Sequence, residues 1–72
     1  MKSIDEKITA ILEYFENEPI TIAKNNNGIT FVKCWLPSED EPQLAIHGWG
    51  VGFEQALDRL YVEMENHKQA NQ

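Results

Sequence analysis

The chain has 72 residues, twelve acidic and six basic, for a formal net charge of −6. A chain of this size holds one domain and buries only about 60% of its unfolded surface, so its own core supplies about 3–5 kcal/mol. Cys34 is the single cysteine, which excludes an intrachain disulfide, and no apolar run approaches the roughly 20 residues that span a bilayer.

The charge disfavours two classes of partner. Nucleic acid and anionic membranes are bound through clustered Lys or Arg, and here Lys2, Lys7, Lys24, Lys33, Arg59 and Lys68 are scattered. A second copy of the chain or another protein is the expected partner. Residues 1 to 6 turn acidic at once, with no apolar run before a small-residue cleavage site. No targeting segment is therefore read, and the cytoplasm is the expected compartment.

The first element is a helix over residues 3–17. Ser3 and Glu6 have capping-box spacing, and Asp5 and Glu6 suit the positive end of the helix dipole. Ile4, Ile8, Ile11, Leu12 and Phe15 make one apolar stripe. Asn17-Glu18-Pro19 stops the helix, because the residue before a proline is pushed out of the α region.

Residues 20–24 alternate with β-branched side chains and read as a strand. Asn25-Asn26-Asn27-Gly28 is a turn signal, and residues 29–36 form the second strand. A polar loop, Pro37 to Pro42, leads to a third strand over residues 43–49, which Gly48, Gly50 and Gly52 are expected to break. A second helix spans residues 53–67, with Phe53, Ala56, Leu57, Leu60 and Met64 as its buried stripe, Tyr61 at the margin and Arg59 placed to pair with Glu63. The domain is expected over residues 1–68, with residues 69–72 fraying.

The fold class is therefore α+β, in the order α-β-β-β-α. The economical packing is a three-stranded antiparallel sheet with both helices on one face. With even-length loops, Ile20, Ile22, Ile29, Phe31, Trp35, Leu44 and Ile46 fall on the helix side. Thr21, Ala23, Thr30, Val32, Cys34, Leu36, Ala45, His47 and Trp49 fall on the other side. Lys33 then lands on the core face in mid-strand. It either snorkels to the edge, or a three-residue turn with a bulge shifts the register. The second face carries almost no charge, so Val32, Cys34, Leu36, His47 and Trp49 are the expected partner-binding residues. Glu39, Asp40 and Glu41 are the expected electrostatic rim.

Chemistry is poorly supplied. Gly48-Trp49-Gly50-Val51-Gly52 precedes a helix but has Phe53 where a dinucleotide fingerprint needs glycine. A P-loop's Lys-Ser or Lys-Thr pair is absent. Cys34, His47 and His67 lack the spacing of a zinc site, and Glu39-Asp40-Glu41 lacks the alternating ligands of a calcium loop. No cofactor, metal or catalytic residue is expected. The one arrangement that could carry nucleophilic chemistry is Cys34 beside His47 on adjacent strands. A further alternative is a nucleic-acid-binding domain using Phe31, Trp35 and Trp49 as stacking platforms.

The inferred α-β-β-β-α order resembles the double-stranded-RNA-binding domain. That family reads duplex RNA with a basic cluster at the start of its last helix, where this chain has Phe53, Glu54, Gln55 and Asp58, with Arg59 the lone cation. The stretch Gly50 to Leu57 resembles the strand-to-helix junction of HicB-like antitoxins and small phage proteins, with Gly52 in place of the threonine cap and Gln55 in place of the glutamate. That resemblance implies a small non-enzymatic inhibitor or accessory factor, of phage or mobile-element type, acting through protein contacts.

Overall fold

The computed structural model describes residues 2–36 and 45–70. Helix α1 spans Ile4–Tyr14. Its start is the capping box read from the sequence: the Glu6 N–H donates to Ser3 Oγ at 3.2 Å, and the Ser3 N–H donates to Glu6 Oε1 at 3.3 Å. Both bonds satisfy donors that have no partner within the helix. Ile11 and Phe15 are fully buried, with Ile4 and Ile8 packed partly against them.

The helix closes three residues before the expected end. Glu16 and Asn17 take left-handed φ values of 55° and 65°. The Asn17 N–H then reaches back to the Leu12 carbonyl at 2.8 Å, a closure of the Schellman type.

Strand β1 spans Thr21–Lys24, β2 spans Ile29–Trp35 and β3 spans Ala45–Val51, in the antiparallel order β1-β2-β3. The β1–β2 connection fixes the register. Asn25 Oδ1 accepts from the N–H groups of Asn27 and Ile29 at 2.9 and 3.0 Å, and the Asn25 N–H donates to the Ile29 carbonyl at 3.0 Å. Residues 26–28 are therefore a three-residue turn, and Gly28 takes its left-handed position at φ 83°. Lys24 pairs with Thr30 and Ile22 with Val32.

This odd-length turn overturns the expected face of β2. Thr30, Val32 and Cys34 are buried beneath the helices, whereas Phe31, Lys33 and Trp35 point the other way. A shift of one residue exchanges the two faces of a strand. The mid-strand lysine that fitted badly in the core lies on the outer face.

β3 runs through Gly48 and Gly50 instead of breaking there. Both glycines are needed for packing. A Cβ at Gly48 would stand 2.3 Å from the Ala56 carbonyl oxygen and 2.5 Å from the Leu60 nitrogen. The backbone of helix α2, Phe53–Ala70, rests directly on the strand at that point. α2 continues past the expected end through Lys68 and Gln69 to Ala70, so residues 69 and 70 are helical.

The two helices lie on one side of the sheet, as the sequence predicts. The core consists of Ile11 from α1 and Phe15 at its C-cap, Val32 and Cys34 from β2, and Ala56, Leu57, Leu60 and Met64 from α2. Full burial of such side chains contributes about 1.5–3 kcal/mol each before chain entropy is counted. Two polar contacts tie α1 to α2: Lys7 Nζ donates to Asp58 Oδ1, and the Tyr14 hydroxyl shares a hydrogen bond with His67 Nδ1.

Candidate interaction surface

The outer face of the sheet carries the side chains that point away from the two helices. β1 contributes Thr21 and Ala23, and β2 contributes Phe31, Lys33 and Trp35. β3 contributes Ala45, His47 and Trp49. Direct cross-strand neighbours are Phe31 and Trp49, Lys33 and His47, and Trp35 and Ala45. Phe31 is 44% exposed, Trp35 36% and Trp49 50%. Three large aromatic side chains on one open sheet surface go beyond the scattered exposed hydrophobes of an ordinary monomer.

Two cations frame the indoles. Lys33 Nζ lies 5.2 Å from the ring centre of Trp35, and the Arg59 guanidinium lies 4.2 Å from that of Trp49. Arg59 comes from α2, on the opposite side of the sheet, and reaches Trp49 because β3 is an edge strand. Its guanidinium stacks on the indole instead of pairing with Glu63 as the helical spacing predicts. No Asp or Glu stands in any of the three strands. Among the described residues the outer face is thus aromatic at its centre, with Lys33 and Arg59 as its cations and His47 beside Lys33. A depression of about 310 Å³ lies between Ala23, Phe31, Lys33, His47 and Trp49.

The expected partner-binding residues separate into three groups. His47 and Trp49 stand on the exposed face, as read from the sequence. Val32 and Cys34 do not: they are 1% and 0% exposed and belong to the core, and Leu36 packs partly against it. Glu39, Asp40 and Glu41 lie outside the described residues. Phe31 and Trp35, expected on the helix side, are presented on the outer face, and Lys33 stands with them, in the register that the three-residue-turn alternative predicts. The clue was Lys33, whose charge cannot sit unpaired in a core without a large desolvation cost.

Cys34 and His47 lie on opposite faces, since Cys34 pairs with Ile46 and His47 with Lys33. The thiol–imidazole arrangement considered for catalysis does not form. The Cys34 thiol instead points to the Glu18 and Pro19 carbonyls, at 3.5 and 3.8 Å. Burial, and next the charge of Glu18, push its pKa above the ordinary thiol value. Low-pKa thiolate reactivity needs the opposite environment.

The glycine-rich junction serves the helix. The Val51 N–H donates to Gln55 Oε1 at 2.7 Å, so Gln55 caps the strand-to-helix turn. A Cβ at Gly50 would strike the Gln55 side chain at 2.7–2.8 Å, and Gly52 makes the turn at φ 89°. Of the positions matching the duplex-RNA-reading cluster, Asp58 is paired with Lys7 and Arg59 is stacked on Trp49.

Among the described residues, no group of three or more His, Cys, Asp or Glu side chains is placed to hold a metal ion. No helix there is long and apolar enough to cross a membrane. No protein-family model, curated protein or solved structure matches this chain.

Proposed function

We propose that this protein is a non-enzymatic protein-interaction module that docks a partner protein on the outer face of its sheet, in the manner of a small inhibitor or accessory factor. The observation that carries this reading is the joint exposure of Phe31, Trp35 and Trp49 on strands that, among the described residues, hold no Asp or Glu. Aromatic side chains lose little rotamer entropy on binding and dominate interface energetics when a partner desolvates them. Lys33, His47 and Arg59 would orient the partner through its carbonyl or carboxylate groups, and the surrounding negative charge would discriminate against acidic competitors. In affinity capture from the native cells, the wild-type chain should retain a discrete protein that a Phe31→Ser/Trp35→Ser variant loses while keeping its helical circular dichroism. Equal retention by both would refute the reading.

One observation favours a second reading. Exposed aromatics flanked by cations are the elements of a single-strand nucleic-acid platform, and Phe31, Trp35 and Trp49 are accompanied by Lys33 and Arg59. The net charge of −6 weighs against it. Tryptophan quenching by a single-stranded oligonucleotide at low salt, weakening steeply as salt rises, would favour this reading over the first.

A further inference from the structure

The free edge of β3 differs from the free edge of β1. β1 is four residues long, includes Lys24 and follows Pro19 closely. Shortness, lysine and proline are the devices by which proteins blunt an exposed edge. β3 is seven residues long, and Ala45-Ile46-His47-Gly48-Trp49-Gly50-Val51 contains no proline, lysine, arginine or carboxylate. It is last in the strand order, so alternate backbone groups face away from β2 with no strand to receive them among the described residues.

Beside this edge, α2 forms the wall of a groove of about 490 Å³, lined by Trp49, Gln55, Arg59, Val62 and Glu63. Val62 is 54% exposed there, and Val51 at the end of the strand is 73% exposed. The wall is self-complementary in charge. Arg59 and Glu63 stand one helical turn apart and do not pair within the chain. If α2 is set antiparallel to a copy of itself about a two-fold axis level with Tyr61, each Arg59 faces the other copy's Glu63. Val62 lies beside the axis. An isologous contact requires this pattern: one patch that satisfies its own duplicate.

We propose that a second copy of the chain pairs its β3 antiparallel with this β3, joining three strands from each copy into one sheet with the two α2 helices side by side above the seam. The edge supplies backbone hydrogen bonds and Val62 supplies the apolar contact. Arg59 leaves the Trp49 ring on which it stacks in the single chain, clearing the edge, and its pairs with Glu63 set the register. This deepens the docking role proposed above, because the joined sheets present two aromatic faces as one continuous platform. The two readings share Arg59, but the dimer does not use Phe31 or Trp35 and partner docking does not use Val62, so Phe31→Ser/Trp35→Ser and Val62→Asp make them fail separately.

Sedimentation equilibrium of the full chain tests it. The expected result is a concentration-dependent shift from 8.3 kDa to twice that mass. Arg59→Glu and Glu63→Arg should each weaken the dimer by about tenfold or more, and the double variant should recover most of the loss. Val62→Asp, at an exposed position, should give a folded monomer. A monomer at all concentrations, or a dimer indifferent to both charge reversals and to Val62→Asp, would overturn the proposal. Loss of the dimer with partner capture retained would contradict this inference alone.

Discussion

Gly48 of β3 touches the backbone of Leu60 in α2, with room for no side chain between them. Neither the strand nor the helix can give way there, because each is held by its own backbone hydrogen bonds. Gly48→Ala is therefore expected to cost about 3 kcal/mol or more, at the upper end of overpacking effects. In a domain whose core supplies about 3–5 kcal/mol that removes most of the net stability. Gly50→Ala meets no backbone atom, but its Cβ would stand 2.7–2.8 Å from Gln55 Cγ, Cβ and Oε1. It should cost about 1–2 kcal/mol through loss of the Val51–Gln55 bond and a small shift at the start of α2. Urea titrations followed by circular dichroism separate the two, and equal costs would contradict the close helix–strand approach.

The reversal of β2 makes a prediction against intuition. Phe31 is the larger side chain, but it is exposed, whereas its neighbour Val32 is buried. Phe31→Ala should cost about 1 kcal/mol or less, the value of a cross-strand aromatic contact. Val32→Ala should cost about 2 kcal/mol, the value of a core deletion. Denaturation midpoints in the opposite order would restore the register that places Phe31 under the helices.

Glu16 holds a left-handed backbone at φ 55° without the glycine that this conformation favours. Glu16→Gly should stabilise the domain by about 1 kcal/mol, since relief of the steric cost exceeds the added freedom of the unfolded chain. A lowered melting temperature would count against the left-handed closure of α1.

Cys34 gives a pH signature. Its thiol is buried and its pKa raised, so the folded state binds a proton that the unfolded state releases at lower pH. The associated stability is complete below the unfolded thiol pKa, about 8.5. It is lost as pH rises from there toward the raised folded value. Stability should fall with alkaline pH in the wild type and fall less in Cys34→Ala. Alkylation of the native protein should proceed only at the rate of opening.

Much of the fold is legible from local signals. The Ser3–Glu6 capping box, the apolar stripes of both helices, and Asn25 to Gly28 as a turn all carry their own chemistry in adjacent residues. The outer surface is not legible in the same way, because the orientation of β2 depends on whether the turn after Lys24 has an odd or even length. Asn25 decides this by accepting from both Asn27 and Ile29, a choice that residue types alone leave open. Lys33 was the one residue that reported the correct face. The contact of Arg59 with Trp49 passes around a sheet edge, and helical spacing pointed to Glu63 instead. The glycines of β3 read as strand breakers because the helix that requires them lies several residues further along the chain.

A photo-crosslinking side chain at position 31 or 35, compared with one at the exposed α1 position 13, maps the docking surface in the cells that make the protein. The proposed function predicts a discrete crosslinked protein heavier than two copies of this chain from positions 31 and 35, and none from position 13. Crosslinks from position 13 alone, or none from the sheet positions, would contradict the assignment of the outer sheet face as the docking surface.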